Sequence, residues 1–132
     1  MFDTGVVVSG LLIPRSKLRR AFDPARRLGR LLVSEAILSE LDDVLRRKKL
    51  AAYVSDGQRL EFLAAYLREA EDVAVTIRLR ECRDPKDDRF LELAVDGNAT
   101  HILSGDQDLL AMHPFRGVAI LSPAAFLDSL GE

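Results

Sequence analysis

Short apolar stretches alternate with helical ones along this chain, and no other feature limits its fold as strongly. RLLVS (30–34), DVAVTI (72–77), THILSGD (100–106) and VAILS (118–122) are each too short for a helix and lack a clean two-residue alternation. Such strands suit a parallel sheet buried on both faces. Between them lie segments with helical periodicity, so the pattern predicts an α/β fold with helices on both sides of the sheet. The opening FDTGVVVSGLLI (2–13) reads as a short strand and turn, then an apolar segment open between helix and strand. No linker or repeat divides the chain, so 1–132 is expected to form a single domain.

Helix signals are clear at several places. SEAILSELDDVLRRKKLAAY (34–53) places Ile37, Leu41, Val44 and Leu45 on one stripe and is rich in Lys and Arg late in its length. SKLRRAFDPARRLG (16–29) reads as a helix or broken helix. SDGQRLEFLAAYLREAE (55–71) has Ser55 or Asp56 as its cap. RFLELAVDGN (89–98) is closed by Gly97 or Asn98. QDLLAM (107–112) reads as a helical turn, and Ser122 before Pro123 starts a last helix. RLRECRDPKDDR (78–89) reads as a charged connector.

Several function classes drop out early. Cys82 is the single cysteine, so no internal disulfide can form, and with only His101 and His113 there is no zinc-type spacing. That usage fits a reducing cytoplasm. GVVVSGLLI is far too short to span a bilayer, and no basic stretch precedes it as in a signal peptide. The net charge of −2 argues against a generic nucleic-acid binder. Its distribution is uneven, however. Residues 1–50 hold eleven Lys and Arg against six Asp and Glu, with RSKLRR, ARRLGR and RRKK as the clusters. That half is a candidate polyanion-facing side, and a solvated helix surface is the competing explanation.

The acids at strand ends carry the candidate chemistry, because ligands of open α/β sheets bind beyond the carboxyl ends of the strands. Asp3 follows the first apolar stub, and Asp106 and Asp108 follow HILSG. On the helix at 34–53, Glu40 lies about 60° from Ile37 at the edge of the apolar stripe, while Glu35, Asp42 and Asp43 turn towards solvent. A carboxylate near a core is costly without compensation, and an arginine at the rim would be the ordinary one. In RDPKDDRFLELA, Asp84 reads as an N-cap with Pro85 at N1, and Asp87 at N3 suits the helix dipole. Asp88 lies on the buried side, three before Leu91, so it is the first candidate for chemistry and Asp87 the second. Asp106 also has an ordinary role as the cap of QDLLAM. Crowded carboxylates cannot all stay ionised without a cation or a shared proton. An all-oxygen set suits Mg²⁺ or Mn²⁺, and a shared-proton dyad would need only two of the acids.

Asp3-Thr4-Gly5 is the triplet that aspartic proteases carry, but their fold is nearly all β, and this chain is rich in helix. A different resemblance covers nearly the whole length. An N-terminal Asp-Thr, VSEAILSELDDVLRRKKL, RDPKDDRFLELAVDGNATHILSGDQDLL and VAILSPAAFLDSL together resemble the PIN domain (PilT N-terminus), in its branch of prokaryotic toxin components. The resemblance implies a Rossmann-like, three-layer α/β/α sandwich with a central parallel sheet. It implies a Mg²⁺- or Mn²⁺-dependent ribonuclease, a toxin checked by an antitoxin protein and often a homodimer. The family's acids fall on Asp3, Glu40, Asp88 and Asp106, with Asp108 as a further possible ligand and Thr4 and Ser104 as accessory positions. Gly5 stands where the family has Asn, and only Met1 and Phe2 precede the first acid.

The expected reaction is attack of metal-activated water on an RNA phosphodiester. Basic segments 15–30 and 46–49, with Arg15, Lys17, Arg19, Arg20, Arg46 and Arg47, would hold phosphates. The alternative is a catalytically degenerate PIN fold acting as a binding or interaction module.

Overall fold

The structure, a computed structural model, describes residues 1–2, 4–12, 24–25, 27 and 29–131. The described elements run α1 (Thr4–Leu12), β1 (Leu31–Val33), α2 (Glu35–Leu45), α3 (Lys48–Ala51), α4 (Asp56–Glu69), β2 (Ala70–Asp72), α5 (Asp88–Asp96), β3 (His101–Leu103), α6 (Gln107–Leu110), β4 (Ala119–Leu121) and α7 (Pro123–Ser129). Every strand pair is parallel: Leu32 sits opposite Glu71 in β1–β2, and Ile102 opposite Ile120 in β3–β4. Phe2 bridges Leu103 in parallel, and the Leu103 N–H donates to the Met1 carbonyl at 2.8 Å.

Successive strand residues feed two different cores. Leu31, Val33 and Leu103 join Val6, Val7, Leu41, Leu45, Leu63, Tyr66, Phe126 and Leu127 on one side. Leu32, Ile102 and Ile120 join Phe90, Leu91, Leu93, Ala94 and Leu109 on the other. The described strands form two two-stranded parallel sheets, β1–β2 and β3–β4, rather than the one central sheet expected, and apolar cores cover their strands on both faces, as the α/β reading expects. Caps follow the sequence signals. Ser55 and Gln58 form a reciprocal capping box on α4, and Ser122 caps α7 with Pro123 at its start. Gly97 ends α5 where the chain passes too close to Leu32 and the Leu93 carbonyl for a side chain.

The apolar opening, readable as helix or strand, is helix from Thr4 onward, since burial of Val6 and Val7 overrides their β-branched preference. Three sequence expectations are corrected. The helix expected over 34–53 breaks after Leu45, and the turn at Arg46 and Arg47 brings Leu50 back onto the first core. The strand expected at 72–77 lies at 70–72; Val73 N–H still donates to the Val33 carbonyl at 2.8 Å, and beyond it the extended segment meets no strand among the described residues. Asp84 and Pro85 open a turn rather than the helix, which starts at Asp88. Most of the helix expected over 16–29 lies outside the described residues.

Candidate functional site

The turn before α5 decides which of two adjacent aspartates meets the strand ends. Asp87, Arg89 and Phe90 donate to the carbonyls of Asp84, Lys86 and Asp87, each three residues back, at 3.0–3.4 Å. Side chains three apart eclipse in such a turn. Asp84 and Asp87 thus share one side, Lys86 and Arg89 another, and Asp88 a third.

Asp87 meets Asp106. Burial, the charges of Asp106 and Asp84, a hydrogen bond to Asp106 and the charge of Glu40 push the Asp87 carboxyl up to about 6. Asp106 stands at the end of β3 as the cap of α6. Its Oδ1 accepts from the Asp108 N–H at 2.9 Å, and its own N–H donates to Ser104 Oγ at 2.9 Å. Ser104 is fully buried, so that anchor is fixed within the core. Asp108 is exposed and contributes its backbone to the cap.

Glu40 is half-buried on α2, and the Thr4 hydroxyl donates to its Oε2 at 2.8 Å. The compensation is thus a buried threonine at the start of α1, not an arginine at the rim. Among the described residues none of Glu40, Asp87 and Asp106 forms an ion pair. Arg59 instead pairs with Asp42 and, at 3.5 Å, with Asp56. This corrects the expectation that Asp42 faces solvent.

Asp88, the first-ranked acid of that pair, is turned away. It is 6% exposed, and its Oδ1 accepts from the backbone N–H groups of Glu81 and Cys82, both at 2.9 Å. Burial raises its pKa, but these two N–H groups and the Cys82 thiol outweigh burial and hold the carboxyl below the usual range. The Cys82 thiol is in turn pushed up to about 12 by burial and by Asp88, which leaves it protonated at neutral pH.

Asp88 is the first of a series that the sequence reading missed. Glu92 Oε2 accepts from Leu79 N–H at 2.8 Å. Asp96 Oδ2 accepts from Thr76 and Ile77 N–H at 2.6 and 3.0 Å. Three acids at i, i+4 and i+8 on α5 therefore tie down the extended segment beyond Val73. Their spacing was the available signal, and Val73, Val75, Ile77 and Leu79 do alternate, against the expectation that 72–77 has no clean alternation.

Asp3 lies outside the described residues, as do Arg15, Lys17, Arg19 and Arg20. Among the described residues no group of three acids, histidines or cysteines is close enough to hold an ion. The donor chemistry of Glu40, Asp87 and Asp106 nevertheless fits a hard divalent cation: all are oxygens, the charges of Asp106 and Glu40 help to raise the Asp87 pKa, and no basic side chain among the described residues pairs with them. Arg46 and Arg47 are exposed at the end of α2, with Arg46 paired to Asp42 at 3.2 Å. No helix among the described residues is long and apolar enough to cross a membrane.

No curated protein matches the chain. A family model described as the PIN domain matches residues 1–108, which takes in every acid discussed above. Proteins of that family are typically nucleases, and they typically use divalent metals. With parallel strands covered on both faces and acids gathered at the strand ends, the chain belongs to the PIN domain family.

Proposed function

We propose that this protein is a Mg²⁺- or Mn²⁺-dependent endoribonuclease, the toxin of a prokaryotic toxin–antitoxin pair, acting in the cytoplasm. The observation that carries the reading is the Asp87–Asp106 contact, two carboxyls in hydrogen-bonding reach with no ion-pair partner among the described residues. Asp87, Asp106 and Glu40, with Asp3, are the residues that would hold the ion. Such an ion supplies charge neutralisation at a phosphodiester and a water of lowered pKa. Asp88 takes a supporting place instead, since its Oδ1 is committed to two backbone N–H groups.

The protein's own residues keep the acids in place. Thr4 fixes the direction of Glu40 through its hydroxyl. Ser104 and the Asp108 N–H fix Asp106 on two sides. The tight turn at 84–90 fixes Asp87 through its backbone hydrogen bonds and the Lys86 N–H bond to Asp84 Oδ1 at 3.0 Å. Pre-set carboxylates of this kind avoid reorganisation when substrate arrives. A cognate antitoxin protein and a second copy of the chain are the partners that the resemblance implies.

The test is cleavage of single-stranded RNA with Mg²⁺ or Mn²⁺, compared with Asp106→Asn. Activity lost in the variant supports the reading, and equal cleavage by both proteins sinks it. Gly5 favours a second reading, a degenerate PIN fold that binds without cutting. Metal-independent RNA or protein binding with no Mn²⁺ uptake at millimolar concentration would select it.

A further inference from the structure

An acidic centre repels the phosphates it would act on, so a nuclease of this kind needs cations close by. The described residues include a set of them in the stretch of chain that leads to Asp87. Arg80, Arg83, Lys86 and Arg89 recur at every third residue, and all four are exposed. Among the described residues none of the four is in an ion pair. Arg78 is differently engaged, since it donates to its neighbour's carbonyl, Ile77 O, at 3.0 Å and stands in the field of Asp96. Glu81 and Asp84 are the exposed carboxylates in the same stretch.

The position of this strip is set by the acids of α5. Asp88 holds the N–H groups of Glu81 and Cys82, which fixes the chain between Arg80 and Arg83 against the start of the helix. Asp87, the next residue back, faces Asp106. The tight turn stacks Lys86 with Arg89, on a different side from Asp84 and Asp87. The four cations therefore lie along one short stretch of chain that leads up to Asp87.

Resting on the ribonuclease reading, we propose that Arg80, Arg83, Lys86 and Arg89 form the substrate-holding edge of this site, gripping the sugar–phosphate backbone of single-stranded RNA as it enters the carboxylate centre. Cations carried along one short stretch of chain match one backbone, whereas a duplex presents two across a groove. Among the described residues the strongly exposed large apolar side chains are Tyr53, Leu60 and Leu67, none of them within 80–89, so this stretch itself carries no stacking platform. Binding along it is consequently neutral to base sequence.

The test uses the full chain with Asp106→Asn to prevent cleavage, and a fluorescent single-stranded RNA of roughly 12 nucleotides. Anisotropy is recorded across a KCl series with and without Arg80→Gln, Arg83→Gln and Arg89→Gln. The expected result is binding weakened about tenfold at low salt and a log–log salt slope shallower by about 2, for three lost phosphate contacts. Oligo(U) and oligo(A) should lose equally. A second variant, Lys86→Gln with Arg89→Gln, should lose less and flatten the slope by about 1.4.

The proposal is overturned if the triple variant binds with unchanged affinity and slope. It is also overturned if duplex DNA of the same length binds as tightly and loses as much. Cleavage of a dinucleotide, measured with Asp106 restored, separates the two readings. Dinucleotide cleavage retained in the triple variant alongside lost polymer binding supports the strip. A parent protein that neither binds nor cleaves RNA overturns both the strip and the nuclease.

Discussion

The carboxyl of Asp87 lies within hydrogen-bonding reach of Asp106, while neither is matched by a lysine or arginine among the described residues. Fold stability alone gives no reason for that arrangement, because each charge raises the cost of the other. A site built for a cation accounts for it.

Replacing Asp87 should therefore stabilise the metal-free protein. The folded pKa, about 6, lies above the ordinary carboxyl value, so the folded state holds its proton more tightly than the unfolded chain. The group costs nothing below the unfolded value of about 4, and its cost grows as pH rises to about 6. In EDTA at pH 7, Asp87→Asn should melt above the wild type, and the gap should close towards pH 4. Thermal unfolding across that range checks it, and a lower melting temperature for the variant at pH 7 would contradict it.

Asp88 should behave in the opposite way. Its folded pKa is depressed, so its contribution is present above the unfolded carboxyl value and is lost as pH falls through the folded one. Asp88→Ala leaves two N–H groups near the core without their acceptor, at a cost of about 1–3 kcal/mol in urea unfolding. Amide exchange should accelerate at Glu81 and Cys82 first. A variant as stable as the wild type would remove the staple as a structural element.

The contrast between these neighbours shows what the sequence displayed and what it hid. Helix phase places Asp88 on the buried side, as found, but burial does not say what a side chain meets. Its partner is backbone, which carries no side-chain signature, so the reading could not see it. The half-buried place of Glu40 and the capping place of Asp106 were legible because one lies on a helical stripe and the other after a strand. The strand lies at 70–72 rather than 72–77 because the N–H groups of Thr76, Ile77 and Leu79 bond helix acids instead of a neighbouring strand. Counting charge by halves hid the cations at 80–89. Asp88, Glu92 and Asp96 enter that count as negative surface, yet all three bond backbone N–H groups. The helix α1 was left open because its Val-Val-Val run fits either state until its packing is known.

Thr4→Val should keep the volume of the side chain and remove the hydroxyl that orients Glu40. The expected loss is about tenfold in kcat with KM little changed, and about 1 kcal/mol in stability. Thr4→Ser should restore most of the rate. Unchanged turnover in Thr4→Val would show that Glu40 does not depend on this bond.

Gly97→Ala tests the packing of α5 apart from any chemistry. Its new Cβ would stand 2.7 Å from Leu32 Cδ1 and 2.9 Å from the Leu93 carbonyl. The backbone oxygen cannot swing aside, so a loss of about 1–3 kcal/mol is expected in denaturant unfolding. A neutral substitution would place the end of α5 farther from β1.

Calorimetric Mn²⁺ titration of the wild type, Asp87→Asn, Asp106→Asn and Asp88→Asn tests the central claim most directly. The proposed centre predicts binding in the wild type, a loss of about tenfold or more in Asp87→Asn and Asp106→Asn, and binding kept in Asp88→Asn. Mn²⁺ bound equally well by Asp87→Asn, or lost only in Asp88→Asn, would contradict it.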